Sequence, residues 1–145
     1  MTEDQIAICQ HEAAHAVAAI ALGCQVVRVT AGFPTGNGCR YRGATPEQAA
    51  VIAAAGIAWS GMLDPGVGGD ALSIVRELKL DDEHLRVQKA AVNLFTDKAR
   101  ALLEQHESAI DLIAGLLIQN DGIVEGGELS NIVRHVLEGY EIETY

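Results

Sequence analysis

The residues in this chain best suited to chemistry are His11-Glu12-Ala13-Ala14-His15, two histidines four positions apart with a glutamate directly after the first. In a helix, side chains four apart project from one face about one turn apart, so both imidazoles reach a single ion. Glu12, offset by one residue, then stands where it can hold a water beside that ion. Zinc suits such a set: it lowers the pKa of water to roughly 7 and polarises a carbonyl, while the carboxylate takes the proton. The spacing therefore points to a zinc-dependent peptide-hydrolysing site, with His11 and His15 as ligands and Glu12 as the catalytic base. Accident would place these residue types at this spacing in fewer than about one chain in a hundred of this length.

The surrounding sequence must hold that motif in a helix. Thr2 followed by Glu3, Asp4 and Gln5 is a helix start, with a hydroxyl cap, acids in the first turn and a glutamine at the capping-box position. The helix is expected to run to about Leu22 and to stop at Gly23. From Ala13 to Leu22 its only polar side chain is His15, so nearly every face is apolar and the helix belongs inside the protein. A histidine buried there is costly without a partner, and coordination to a metal offsets the cost.

A catalytic zinc needs a third protein ligand and one open position. The continuation found in metzincins is absent, because Ala18 and Ala21 stand where its glycine and histidine would be. The chemistry leaves Glu47, Asp64, Asp70 and Glu77, with Asp70 favoured because the two glycines before it let the backbone come close to the metal. An isolated aspartate in that position is also an ordinary helix N-cap.

The rest of the chain reads as mainly helical with a small β-hairpin. Residues 26–30 and 39–42 look like short strands on either side of a turn-rich segment. Thr45-Pro46-Glu47 opens a second helix that continues through an alanine-rich stretch to about Met62. Residues 63–69 read as a loop, with Asp70 at its exit before a third helix. Asp81 and Asp82 precede a long helix over about 83–105, another follows to Ile118, and Asn120-Asp121-Gly122 breaks it. A last helix is expected from Glu128 to about Leu137. There is no internal repeat or low-complexity linker, so the 145 residues read as one domain.

Composition narrows the partners. A formal net charge of -10 and no local cluster of Lys and Arg argue against nucleic acid. The acidic start lacks the basic region of a secretion signal, and the apolar run over 13–27 is too short and too interrupted to span a membrane. Cys9, Cys24 and Cys39 are odd in number and contain no C-x-x-C, which argues against a disulfide framework or a cysteine metal knot. Cys9, two positions from His11, falls on another face of the helix. The expectation is a cytoplasmic protein with small buried thiols. His84, His106 and His135 read as exposed, Trp59 as a core anchor, and Arg28, Arg40 and Arg42 as the polar face of the hairpin.

The motif and its context resemble the peptidase domain of FtsH, a family of membrane-anchored ATP-dependent zinc metalloproteases. That family's helix reads H-E-A-G-H-A, which His11-Glu12-Ala13-Ala14-His15-Ala16 matches with one change. Its third ligand is an aspartate in a G-A-S-N-D-I-like segment, similar in spacing to Gly66-Val67-Gly68-Gly69-Asp70-Ala71, and its link into the last helix is similar to residues 123–129. The resemblance runs through essentially the whole chain and is strongest at the first motif. It implies a mainly helical zincin fold with a small β element, Asp70 as third ligand, and peptides or unfolded polypeptides as substrates. The family's acidic A-E-E stretch has no counterpart in residues 57–62, so any outer support that stretch gives the histidines is not carried over. No G-x-x-x-x-G-K-[ST] occurs either, so an ATPase or unfoldase acting with this chain would be a separate partner. The family forms hexameric rings, which makes a homo-oligomer one of the states the resemblance implies. The alternative reading is a regulatory module that keeps the fold and the zinc without catalysis.

Overall fold

A computed structural model describes residues 2–32, 36–61 and 67–129. Helix α1 covers Glu3–Ala21 and begins with the full capping box: Thr2 Oγ1 accepts from the Gln5 amide while the Gln5 side chain accepts from the Thr2 amide. Gly23 follows its end at φ +84°, a conformation that favours glycine. The helix is buried from His11 through Ala19, as its apolar composition requires. Its alanines at positions 13, 14, 16, 18 and 19 are fully buried, and such small side chains let neighbouring elements approach closely.

Strands β1 (Gln25–Gly32) and β2 (Gly36–Arg42) form an antiparallel hairpin running from the Gln25↔Arg42 pair to Gly32↔Gly36, with an irregularity between Val26 and Arg28. Both strands are longer than the sequence suggests, because backbone pairing continues into the glycine-rich residues that read as loop. Arg28, Arg40 and Arg42 are exposed, as expected of the hairpin's polar face. A third strand, β3 (Ile123–Glu125), pairs antiparallel with the other edge of β1, giving the order β2-β1-β3. The family resemblance implies only a link in this segment. Three residues are too few to establish a period of two, and the strand's partner lies almost a hundred residues earlier.

Helix α2 (Pro46–Ser60) repeats the capping box with Thr45 and Gln48 and ends at Gly61, φ +84°. Helix α3 (Val67–Glu77) starts earlier than expected: Gly68 and Gly69 are already helical, and Asp70 sits in the first turn instead of at a loop exit. The carboxylate is favourable near a helix N-terminus, and burial of Ile74 and Val75 anchors the helix. Helix α4 (Leu85–Glu104) is capped by the His84 ring, whose Nδ1 accepts from the Arg86 amide at 3.0 Å, and not by Asp81 or Asp82. Helix α5 (Glu107–Gln119) ends where Asp121 and Gly122 take positive φ. The last helix, expected from Glu128, already begins at residue 126 and is described to 129; the rest of the expected span, with His135, lies outside the described residues, as does Asp64.

The fold is thus mainly helical with a small antiparallel sheet. Helix α1 lies in the middle, packed against α2, α5 and β1, and α2 packs in turn against α3 and α4. Ile52, Ile57, Ile74, Ile110, Ile113 and Leu117 are fully buried between these helices. Trp59 is partly buried and packs on the edge of this core. Among the described residues no helix is long and apolar enough to cross a membrane.

Candidate metal centre

Burying α1 between α2 and the sheet takes the motif out of water: His11, Glu12 and His15 are 7%, 6% and 7% exposed. Each imidazole is then anchored by its outward nitrogen to α2. The Nδ1 of His15 lies 2.7 Å from the carbonyl oxygen of Ile52. A carbonyl can only accept, so Nδ1 carries the hydrogen. When His15 is neutral, Nε2 therefore presents a lone pair. The Nδ1 of His11 lies 2.7 Å from Ser60 Oγ, an orientation that leaves its Nε2 facing the same point. The two Nε2 atoms are 3.2 Å apart, with the rings inclined at 77°.

Asp70 arrives from α3. Its Oδ2 is 2.9 Å from His11 Nε2 and 3.3 Å from His15 Nε2. These distances are within ion-pair range, yet Oδ2 has no aligned hydrogen-bond donor, and Glu12 Oε2 likewise has none. Buried carboxylate oxygens without donors are costly, and two of them beside two imidazole nitrogens form a set that a cation satisfies. The edges of the nitrogen–nitrogen–oxygen triangle, 2.9, 3.2 and 3.3 Å, are close to the separation of about 3.3 Å between ligands of a tetrahedral zinc. The ligand atoms of His11, Glu12 and His15 lie within 4.8 Å of one another, and this buried group can hold a metal ion.

The electrostatics reflect the same crowding. Burial raises the Glu12 carboxyl above its ordinary value; the two histidines oppose that shift and Asp70 reinforces it. For His15, burial is the largest influence and lowers the pKa, but the adjacent Asp70, the Glu12 charge and the Ile52 carbonyl outweigh it and bring the value to about 9. Asp70 is pushed up by burial and, more strongly in sum, down by the two histidines, so it stays ionised to lower pH.

Of the other carboxylates considered as ligands, Glu47 is exposed in the first turn of α2, and Glu77 lies at the far end of α3. A cleft of about 790 Å³ opens over the triad. Helix α1 lines it with Asp4, Ile8 and the motif, α3 with Asp70, Ser73 and Glu77, and edge strand β2 with Gly38, Cys39 and Tyr41. Burial and the Glu12 charge push the Cys39 thiol to about 12. Cys9 and Cys24 are buried and form no disulfide among the described residues. His84 is exposed, whereas His106 is half-buried at the start of α5.

Sequence reasoning missed three contributors, all on α2. Ser60 falls inside the stretch that seemed to offer the histidines no support. The Ile52 carbonyl is a backbone group that side-chain identity cannot reveal. At Gly56, an added Cβ would overlap Asp70 Oδ2 and stand 2.6 Å from His11 Nε2, so the missing side chain makes room for the two ligands. The available signal was a lone glycine inside an alanine-rich helix, a position that needs a packing or functional reason.

The chain matches no protein-family model, and no curated protein sequence matches it.

Proposed function

We propose that this chain is a zinc-dependent endopeptidase with a fold like that of the FtsH peptidase domain, in which His11, His15 and Asp70 hold the metal and Glu12 is the general base. The observation that carries this reading is the convergence of His11 Nε2, His15 Nε2 and Asp70 Oδ2 at 2.9–3.3 Å in the floor of an open cleft, with Glu12 alongside. Zinc, when bound, supplies a Lewis acid and makes water a nucleophile near neutral pH.

The residues of the chain do the rest. Glu12, its carboxyl raised by burial, accepts the proton of the attacking water and returns it to the leaving amine. The Ile52 carbonyl fixes His15 in the tautomer that leaves Nε2 free, and Ser60 orients His11. Strand β2, at the sheet edge and lining the cleft, offers backbone groups to an extended peptide, which suits flexible or unfolded polypeptides. The net charge of -10 disfavours nucleic acid as a partner. A cytoplasmic setting, a separate unfoldase and homo-oligomeric assembly complete the reading, all three inferred from the sequence and its resemblance.

Zinc content and cleavage of a quenched-fluorescent peptide library test it, with wild type compared against Glu12→Gln. Expected is about one zinc per chain in both proteins and cleavage by wild type alone. Equal cleavage by the variant would overturn the role of Glu12. Stoichiometric zinc with no cleavage by wild type would favour the non-catalytic module.

A further inference from the structure

Among the described residues, two of the large apolar side chains left exposed stand on one line of α4. Val87 and Leu94, 44% and 54% exposed, are seven residues apart, and Ala101, also exposed, is seven further on. Seven residues are nearly two helical turns, so the three form a stripe about 21 Å long, with exposed Ala90 beside it. The stripe lies opposite Val92, Phe95, Ala99 and Leu103, the buried residues that hold α4 to the core. Helix α4 lines no part of the cleft over the metal centre.

The charges beside the stripe run against their own helix. A helix dipole favours acids in the first turn and bases in the last. Helix α4 has neither: Arg86 stands at its start and Glu104 at its end. The two are eighteen residues apart, five full turns, and so share one side of the stripe. Both are exposed, and neither side chain is ion-paired among the described residues.

A second α4 laid antiparallel across the first, about a two-fold axis at Leu94, turns each of these features into a contact. Val87 then meets Ala101 of the other copy, and Leu94 meets Leu94. Arg86 comes within about 3 Å along the axis of the other copy's Glu104, beside the negative end of that helix's dipole. The same pair repeats at the opposite end. Arg86 and Lys98 balance Asp97 and Glu104, so this contact is neutral although the chain carries -10 overall. A parallel arrangement would instead set Arg86 against Arg86 and Glu104 against Glu104.

We infer that the exposed face of α4 is the contact of a two-fold homodimer, closed by Leu94 at its centre and by Arg86 paired with Glu104 of the other copy at both ends. This is a pair, not the ring that the family resemblance implies. It leaves both clefts open and does not depend on the metal or on peptide hydrolysis.

Sedimentation velocity from about 1 to 300 µM tests it. A single helix pair buries less than about 1,200 Å² in total, so a monomer–dimer equilibrium with a Kd on the order of 10–100 µM is expected. Leu94→Glu sets two carboxylates against each other on the axis and should weaken the pair by at least about tenfold. Arg86→Glu alone and Glu104→Arg alone should each weaken it by about tenfold, since like charges then meet at both ends. Both reversals suit the dipole of α4, so the monomer keeps its fold, which far-UV circular dichroism checks. Mixing the two single variants is the decisive arm: every ionic contact is then between opposite charges, and dimerisation should return close to the wild-type Kd. A monomer at every concentration, an assembly larger than a pair, a dimer that survives Leu94→Glu, or single variants that do not associate when mixed would each overturn the proposal.

Discussion

Gly56 faces the His11 ring so closely that a Cβ built on it would stand 2.6 Å from both Nε2 and Cε1. In most buried helices Gly→Ala is stabilising by up to about 1 kcal/mol, because alanine loses less backbone entropy on folding. Here that gain opposes a direct collision with two proposed ligands. Gly56→Ala is expected to lower zinc affinity by about ten- to hundredfold and to destabilise the metal-free fold by about 1–3 kcal/mol. Competition titration with a chromophoric chelator and a thermal melt of the metal-free protein measure the two effects. Unchanged zinc affinity would mean that α2 can withdraw without disturbing the ligands.

Ser60 makes a complementary case. Its hydroxyl meets His11 Nδ1 at 2.7 Å. Ser60→Ala removes an orienting partner without crowding anything, so zinc affinity should fall by about tenfold or more while the metal-free melting temperature changes little. The same titration, run beside Gly56→Ala, separates loss of orientation from collision.

The ionisation of His15 gives a pH dependence. Its pKa in the fold, about 9, is above its ordinary 6.5. The metal-free protein therefore gains stability from this group that is complete below pH 6.5 and is lost as pH rises through about 9, on the order of a few kcal/mol. Asp70 has the opposite sign. Its lowered pKa contributes above the ordinary 3.8 and is lost as pH falls. For these two groups together, metal-free stability peaks between about pH 4 and 6.5. Coordination requires His15 to release its Nε2 proton, so zinc affinity should rise with pH by up to about tenfold per unit until near 9. Denaturant melts without metal and calorimetry in buffers of different ionisation enthalpy check both statements. A metal-free protein that grows more stable from pH 6.5 to 9 would contradict this assignment.

The third strand offers a test away from the site. Val124, 1% exposed, lies opposite Val29 in the register, while the Arg28–Glu125 ion pair beside it is exposed on both sides. Val124→Ala should cost about 2 kcal/mol through lost burial and an unfilled cavity. Glu125→Gln should cost less than about 1 kcal/mol, because an exposed pair gains little over its hydrated partners. Urea melts of both variants decide. A larger effect from Glu125 would mean that the strand is held by charge and not by packing.

Much of the local architecture is legible in the residues. Thr2 with Gln5 and Thr45 with Gln48 announce helix starts, and Gly23 and the Asp121-Gly122 pair announce ends, because caps and positive-φ turns depend on neighbours within about four positions. The boundaries of α3 and α4 were less legible. Two glycines before Asp70 weigh against helix locally but are outweighed by the burial of Ile74 and Val75, and His84 caps α4 in place of the more familiar aspartates.

That His11 and His15 share a helical face with Glu12 beside them follows from their spacing, since a period of 3.6 residues is built into any helix. What meets that face depends on the packing of the helices around it. That packing set Asp70, instead of Glu47 or Glu77, within 3.3 Å of both imidazole nitrogens, brought Ser60 and the Ile52 carbonyl behind them, and left Gly56 bare to make room. Those partners are between 37 and 59 positions away along the chain, and their approach depends on how α2 and α3 pack against α1, a choice made by the shape of the whole core.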